Sequence, residues 1–199
     1  MADGQKTESR EAILDAAFGR FARYGYRRTS LGDIADDAGL SRPALYHYFR
    51  NKEDVFRALS QRINAGVVAA VTEAAQARDG SVEDRLYAVL AARVSWAFDL
   101  LHASEHGHEL IDEKNRLCGE AGAQTNARFV EVLEAIIARA VRKHELTLAF
   151  LDMTAAEAAA FLVDCLGGVV SEITTESEAR RRLRALARMF ARGLVPVGG

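Results

Sequence analysis

The sequence predicts an all-α protein, and three observations lead to this fold class. Apolar residues make up 49% of the chain, which is enough for a substantial core. Only two prolines occur, Pro43 and Pro196, so the long segment between them contains no residue that excludes helix. Apolar side chains recur at spacings of three and four, and no segment alternates as a half-buried strand does.

Capping residues predict where the helices begin and end. The first four helices are expected to begin near Thr7, Ser30, Ser41 and Asn51. Gly25 and Gly39 are predicted to end the first and second helices in the left-handed conformation. The capping pairs Ser81 with Asp84, Thr154 with Glu157 and Thr175 with Glu178 mark later starts. Together with the first four, nine helices are predicted, the last five over residues 82–104, 108–118, 122–145, 155–174 and 177–194.

The segment from Leu31 to Phe49 has the pattern of a helix-turn-helix. Ala35 is small enough for two short helices to cross, and Gly39 supplies the positive φ that a tight turn needs. Leu40 and Leu45 are expected to fill the junction. The third helix then presents its remaining side chains to solvent, as a rod that fits the major groove of DNA: Arg42, Ala44, Tyr46, His47 and Tyr48.

Charge and cysteine usage narrow the class of protein. The net charge is −2, but residues 20–57 carry eight basic and five acidic side chains, so a cationic head precedes an acidic remainder. Cys118 and Cys165 are far apart and are predicted to be buried, reduced thiols. No secretory signal and no apolar run of membrane-spanning length is found, so a soluble, cytoplasmic protein is expected.

Two other classes compete with DNA binding. An αα corner in a helical adaptor has the same glycine turn, and loss of the basic side chains between 41 and 52 would leave an adaptor unaffected. An enzyme is not expected, because no nucleophile elbow, phosphate-binding loop, dinucleotide glycine pattern or zinc-protease motif occurs. No cofactor is predicted.

Three sequence segments resemble one family of regulators. The run Gly25-Tyr-Arg-Arg-Thr-Ser, the helix-turn-helix, and Leu45-Tyr-His-Tyr-Phe-Arg-Asn-Lys-Glu-Asp-Val-Phe are similar to the N-terminal domain of the TetR family. The resemblance covers about residues 10–60. It implies a nine-helix protomer, a homodimer, and binding of double-stranded operator DNA that a small molecule relieves. Repressor and activator remain open, although a repressor is expected.

The resemblance also assigns roles to individual residues. Thr29 and Ser30 are expected to contact phosphates at the start of the second helix. Arg42, Pro43 and Ala44 are expected to face the bases, since arginine can bind guanine with two hydrogen bonds. The side chains expected to clamp phosphates are Tyr46, His47, Tyr48 and Lys52.

The remainder of the chain is predicted to dimerise and to bind a ligand, which divides the protein into residues 1–51 and 52–199. Apolar bands on the last two helices predict a dimer contact made by Phe161, Leu162, Cys165, Leu166, Val169, Val170, Leu186 and Phe190. The glycine pair at 167 and 168 would allow close approach of a partner helix. Trp96, Phe98 and Phe129 are predicted to line a pocket for a lipophilic or aromatic inducer, with no membrane partner.

A group of acidic residues and histidines raises the question of a metal. His102, His106, Glu109 and Glu113 would share a helical face if one helix ran through them, and His108 lies beside them. Gly107 is expected to break that helix, and such loops are usually solvated. No metal site is therefore predicted, and the question stays open at the level of sequence.

Overall fold

The computed structural model describes residues 2–77, 79–102, 105–170 and 175–195, and within these ranges it contains helices but no strand. Eight helices follow one another: α1 Ala2–Tyr24, α2 Leu31–Asp37, α3 Arg42–Tyr46, α4 Lys52–Gln76, α5 Val82–His102, α6 Gly107–Arg142, α7 Ala155–Val170 and α8 Glu176–Gly193. The predicted all-α class is confirmed.

The helices expected over 108–118 and 122–145 are both present. They are the two segments of α6, which meet at a kink at Cys118, where φ is −133° and ψ is 21°. A turn at residues 105–106 precedes Gly107, where α6 begins, so the helix break expected near Gly107 is confirmed. At the other end of the chain, α1 starts at Ala2, ahead of the expected Thr7.

Most predicted caps are present. The hydroxyls of Ser30 and Ser41 accept hydrogen bonds from the backbone N–H groups of Asp33 and Ala44. The Asn51 Oδ1 accepts from the Asp54 N–H at 2.7 Å. Reciprocal boxes also join Ser81 to Asp84 and Thr154 to Glu157, while Thr175 accepts from the Glu178 N–H. These bonds satisfy backbone donors that a helix start leaves free.

The chain forms two compact units. Unit 1 comprises Met1–Ala65 and Asp99–Ala123, and unit 2 comprises Gly66–Phe98 and Gln124–Gly199. Within unit 1, three rings pack at centroid distances of 5.1 to 5.5 Å: Phe21, Tyr26 and Phe56. The largest fully buried aliphatic side chains of unit 1 are Ile13, Leu14, Ile34, Leu45 and Val55.

Unit 2 has its own hydrophobic core and its own ion pairs between helices. Its largest fully buried side chains are Leu86, Leu90, Leu133, Ile137, Leu162 and Leu183. The buried Arg85 forms an ion pair with Glu145. On the surface, Arg184 pairs with Asp84 at 2.6 Å and Arg188 with Glu83 at 3.0 Å, which joins α8 to the first turn of α5.

The structure also bears on the predictions made for the two cysteines and for membrane-spanning segments. Both cysteines are free, and Cys118 is buried as predicted, whereas Cys165 is only half-buried. None of the described helices combines the length and the apolar character that crossing a bilayer requires. The functional division at residue 51 stays a prediction.

Candidate nucleic-acid interface

The turn between α2 and α3 has the geometry that the sequence predicts. Gly39 adopts φ +66°, and the N–H of Leu40 donates to the carbonyl of Ala35 at 2.9 Å. Ala35 is fully buried where the helices meet. The turn thereby fixes the direction of α3 relative to α2.

Helix α3 is anchored on one side and open on the other. Leu45 is fully buried, whereas Tyr46 is 52% exposed and Arg42, Pro43 and His47 are also exposed. Ala44 and Tyr48 are half-buried. The short helix therefore presents a cation, an imidazole and a phenol together, all groups that bind bases or phosphates.

Arg42 is the exposed cation at the start of α3. Its guanidinium lies against Gly32, since a Cβ placed on that glycine would be 3.1 Å from Nε and Nη2. Within the described ranges Arg42 has no ion pair, so its five N–H donors are not taken up by a carboxylate. This arrangement leaves the guanidinium available to an external acceptor.

Two residues expected to contact phosphates donate hydrogen bonds to backbone carbonyls of this chain. The first of them is Thr29. Its side chain is only 3% exposed, and its hydroxyl donates to the carbonyl oxygen of Gly25 at 2.8 Å. The neighbouring Ser30 is exposed, but its hydroxyl donates to the Asp33 carboxylate at 2.7 Å while capping α2. That hydrogen bond lowers the pKa of Asp33.

Lys52 is the second residue whose side chain binds backbone carbonyls of this chain. Its ammonium donates to the carbonyl oxygens of Tyr26 at 2.7 Å, Thr29 at 2.8 Å and Arg27 at 3.4 Å. The Nζ also lies 4.3 Å from the centroid of the Tyr26 ring. These acceptors match the number of N–H donors of an ammonium group, and burial lowers the pKa of Lys52. Lys52 therefore ties α4 to the segment before α2.

An ion pair fixes α2 against α1. Arg20 donates to both carboxylate oxygens of Asp37, with Nε at 2.5 Å and Nη2 at 2.7 Å. The hydrogen bond from Arg20 lowers the pKa of Asp37. The same guanidinium lies 5.1 Å from the ring centroid of Tyr24. Both ends of α2 are thus held, one by its cap and one by this bidentate pair.

Sequence reasoning missed a contact made by the first turn of α6. The Glu109 Oε1 accepts from the backbone N–H of Arg27 at 2.9 Å. A Cβ on Gly25, where φ is +80°, would lie 2.4 Å from Glu109 Oε2. Gly25 therefore serves two purposes, a left-handed helix end and a close approach to Glu109. No local sequence signal announces a contact across 82 positions.

The acidic and histidine residues near this contact line an open polar cleft of about 410 Å³, whose other walls are Arg27, Arg28 and Asp112. His106 Nδ1 is 3.8 Å from Glu109 Oε2. Among the residues that are described, no group of three potential ligands is arranged for a metal. The side chain of His102 lies outside the described residues.

The residues predicted to line the pocket can be placed only in part. The side chains of Trp96 and Phe98 lie outside the described residues. Phe129 is buried in unit 2 and lines a narrow crevice that has no room for a water molecule. The other walls of this crevice are Val67, Val68, Val71, Thr125, Arg128 and Val132.

The structure sorts the predicted dimer residues into two groups. Leu162 and Leu166 belong to the core of unit 2, so they are removed from the predicted contact surface. Phe161 is 52% exposed, and Cys165, Val169, Leu186 and Phe190 are half-buried; the side chain of Val170 lies outside the described residues. Met189, which the prediction omitted, is 74% exposed. The glycines at 167 and 168 have open space where a Cβ would stand.

The N-terminal part of this chain is similar in sequence to known regulatory proteins. Residues 13–59 match the sequence model of the bacterial regulatory proteins of the tetR family. The transcriptional activator FasR of Mycolicibacterium smegmatis is 31% identical over 110 residues, 55% of this chain and 48% of FasR. The transcriptional repressor ComR of Escherichia coli is 44% identical over 57 residues, 29% of this chain and 27% of ComR. The matches thus span less than half of each relative.

A solved structure extends the likeness to the whole fold. A TetR/AcrR-family regulator from Thermobifida fusca superposes with a TM-score of 0.71 and 26% identity, covering 94% of this chain and 98% of that one. The helix-turn-helix geometry, the matched segment and the helical body all agree. Residues 13–59 therefore match the tetR family of bacterial regulatory proteins, and the chain as a whole has the fold of a TetR/AcrR-family regulator.

Proposed function

We propose that this protein is a sequence-specific transcriptional regulator, most simply a repressor, that binds a palindromic operator as a homodimer and is released by a small lipophilic molecule. In this proposal residues 1–51 bind DNA, and residues 52–199 bind the ligand and dimerise. The observation that carries it is the exposed edge of α3, held by the buried Leu45 and lying within the segment that matches the family.

Base reading is proposed for Arg42, Pro43 and Ala44. Arg42 has a guanidinium without an ion pair among the described residues, and a bidentate bond to guanine is the commonest specific contact in the major groove. Tyr46, His47 and Tyr48 are proposed to bind phosphates. The backbone N–H and the hydroxyl of Ser30 both donate to Asp33, so Ser30 is not among the proposed donors. Thr29 and Lys52 hold the segment before α2 in place and are not among the proposed contacts.

Dimerisation is proposed for the exposed apolar side chains of α7 and α8. Phe161 and Met189 are more than half exposed on two helices that pack against each other, so they offer apolar surface that a partner could cover. A two-fold dimer would set its two α3 helices about 34 Å apart, or a multiple of that, so the operator should be a palindrome.

Met189→Glu tests the dimer. It should convert a dimer in sedimentation to a monomer and weaken operator binding, because the charge would be buried without a partner. Phe18→Glu is the matched control, since Phe18 is an exposed apolar residue of α1, outside the proposed contact helices. Equal sedimentation of wild type and Met189→Glu would remove these helices from the interface.

The function itself is tested by selecting bound duplexes from randomised DNA with the intact protein. The proposal expects a palindromic motif to be enriched. A helical adaptor would enrich no motif, and a non-specific binder would retain DNA without a consensus. Transcription from a promoter that carries the selected motif then separates repressor from activator, a question that relatives of both kinds leave open.

A further inference from the structure

Unit 1 contains an open cleft whose lining side chains are all charged or titratable. The cleft lies between the segment before α2 and the first turns of α6, and its volume is about 410 Å³. This volume falls within the roughly 300–1,000 Å³ that is typical of small-molecule sites. The walls are formed by Arg27, Arg28, His106, Glu109, Asp112 and Glu113. Such walls offer no apolar side chain to a ligand, so a molecule that binds here must be hydrophilic.

Hydrogen bonds to the backbone hold the two walls of the cleft in place. The Arg27 N–H donates to Glu109 Oε1 at 2.9 Å, and the carbonyl oxygen of Arg27 accepts from Lys52 Nζ at 3.4 Å. A Cβ on Gly25 would lie 3.3 Å from the His106 ring, so the backbone approaches α6 closely at this point. The cleft is therefore formed before a ligand arrives, which lowers the entropic cost of binding.

One wall of the cleft carries two cations. Arg27 and Arg28 are both exposed. Across the parts of the chain that the structure describes, neither guanidinium has an ion pair, although three carboxylates line the same cleft. A guanidinium binds a carboxylate with two parallel hydrogen bonds. This wall therefore suits the anionic end of a ligand.

The opposite wall contains one carboxylate that the described part of the chain does not engage. Glu109 binds the backbone of Arg27, and Glu113 accepts from Nε of Arg116 at 3.1 Å. Asp112 is exposed and, among the described residues, has neither a hydrogen bond nor an ion pair. Its two oxygens can accept hydrogen bonds from an ammonium group.

We infer that this cleft binds a small hydrophilic zwitterion, whose carboxylate pairs with Arg27 and Arg28 and whose ammonium group pairs with Asp112. A simple anion would be repelled by the acidic wall, and a simple cation by the two guanidinium groups. A molecule that carries both charges is attracted at both ends. The inference goes beyond the proposed function, because this site is separate from that of the lipophilic ligand and does not depend on DNA binding.

The test measures binding of amino acids of graded length to the intact protein by calorimetry at low ionic strength. The probes are glycine, β-alanine, γ-aminobutyrate and ε-aminocaproate, each compared with the carboxylate and with the primary amine of the same carbon number. At least one amino acid should bind about fivefold more tightly than both of its singly charged analogues, which is the upper end of what one exposed ion pair contributes. Its binding should weaken as salt is added.

Variants of the two walls identify the contacts. The double variant Arg27→Gln and Arg28→Gln should lower the affinity for that amino acid to the affinity for the amine. Asp112→Asn should lower it to the affinity for the carboxylate. Arg50→Gln and Asp36→Asn are the matched controls and should keep the wild-type affinity, since both residues are exposed in unit 1 and neither lines the cleft.

Three outcomes would overturn the inference. Either none of the amino acids binds, or each binds no better than its singly charged analogues, as expected if the charges of the cleft are merely solvated, or the variants of both walls keep the wild-type affinity. The proposed function is judged separately, from the selected duplexes. Enrichment of an operator without binding of any amino acid would remove only this site, and the reverse result would remove only the regulator.

Discussion

Replacing Lys52 with Met separates an internal role of this residue from a phosphate contact. The substitution removes two short charge-assisted hydrogen bonds, to the carbonyls of Tyr26 and Thr29, and a longer third bond to Arg27. Bonds to charged groups contribute about 1.5–3 kcal/mol each. Taking the low end for the two short bonds, because Lys52 is only half-buried, the free energy of unfolding should fall by about 3 kcal/mol.

The assay measures two quantities on the same variant. Urea denaturation followed by circular dichroism gives the loss of stability, and operator binding at several salt concentrations gives the slope of log K against log salt. An internal Lys52 predicts lower stability with an unchanged slope. A lysine that neutralises one phosphate predicts full stability and a slope smaller by about 0.9.

Arg50→Met is the matched control for this experiment. Arg50 precedes α4 by two positions, its side chain is 88% exposed, and its pair with Asp54 at 3.0 Å is a surface pair. Its loss should therefore cost less than about 1 kcal/mol. If Lys52→Met were as stable as Arg50→Met and lost one unit of salt slope, the reasoning about the three carbonyls would be refuted.

Two further predictions concern how unit 1 is held together. Gly25→Ala should lower the free energy of unfolding by more than Gly39→Ala. Both glycines have positive φ, which costs about 1–2 kcal/mol for alanine. Only at Gly25 would the new Cβ also meet Glu109. If urea denaturation gave the same loss of unfolding free energy for both variants, Glu109 would have moved aside without cost. Asp37→Asn should make the free energy of unfolding of unit 1 depend less on pH in the acid range. The hydrogen bond from Arg20 lowers the pKa of Asp37 in the folded protein. The stability that this ion pair contributes is therefore present above about pH 5 and is lost as the pH falls through the folded pKa. A difference between wild type and Asp37→Asn that persisted unchanged at about pH 2, measured by urea denaturation, would contradict this.

Local signals in the sequence predicted the helix-turn-helix well. Gly25 and Gly39 have the positive φ that their positions after amphipathic stripes indicate. Leu45 is buried and its neighbours are exposed, because a five-residue helix between a cap and a turn has only one side to bury. Each of these features depends on residues within a few positions of one another, which is the range that periodicity and capping describe.

Features that depend on distant residues could not be predicted in the same way. Lys52 binds carbonyls between 23 and 26 positions earlier in the chain, and a lysine near a DNA-binding segment gives no sign that it points inward. On α7, apolar residues occupy more than one face, so their spacing alone did not separate the buried Leu162 from the exposed Phe161.

The central claim is that α3 reads a DNA sequence through Arg42. The most direct measurement compares the dissociation constants of wild type and Arg42→Ala for the selected operator and for operators changed at each single base pair. The account predicts that Arg42→Ala loses about 1–3 kcal/mol on the selected operator and no longer discriminates at one base pair of each half-site. Undiminished discrimination at every position by Arg42→Ala would contradict it.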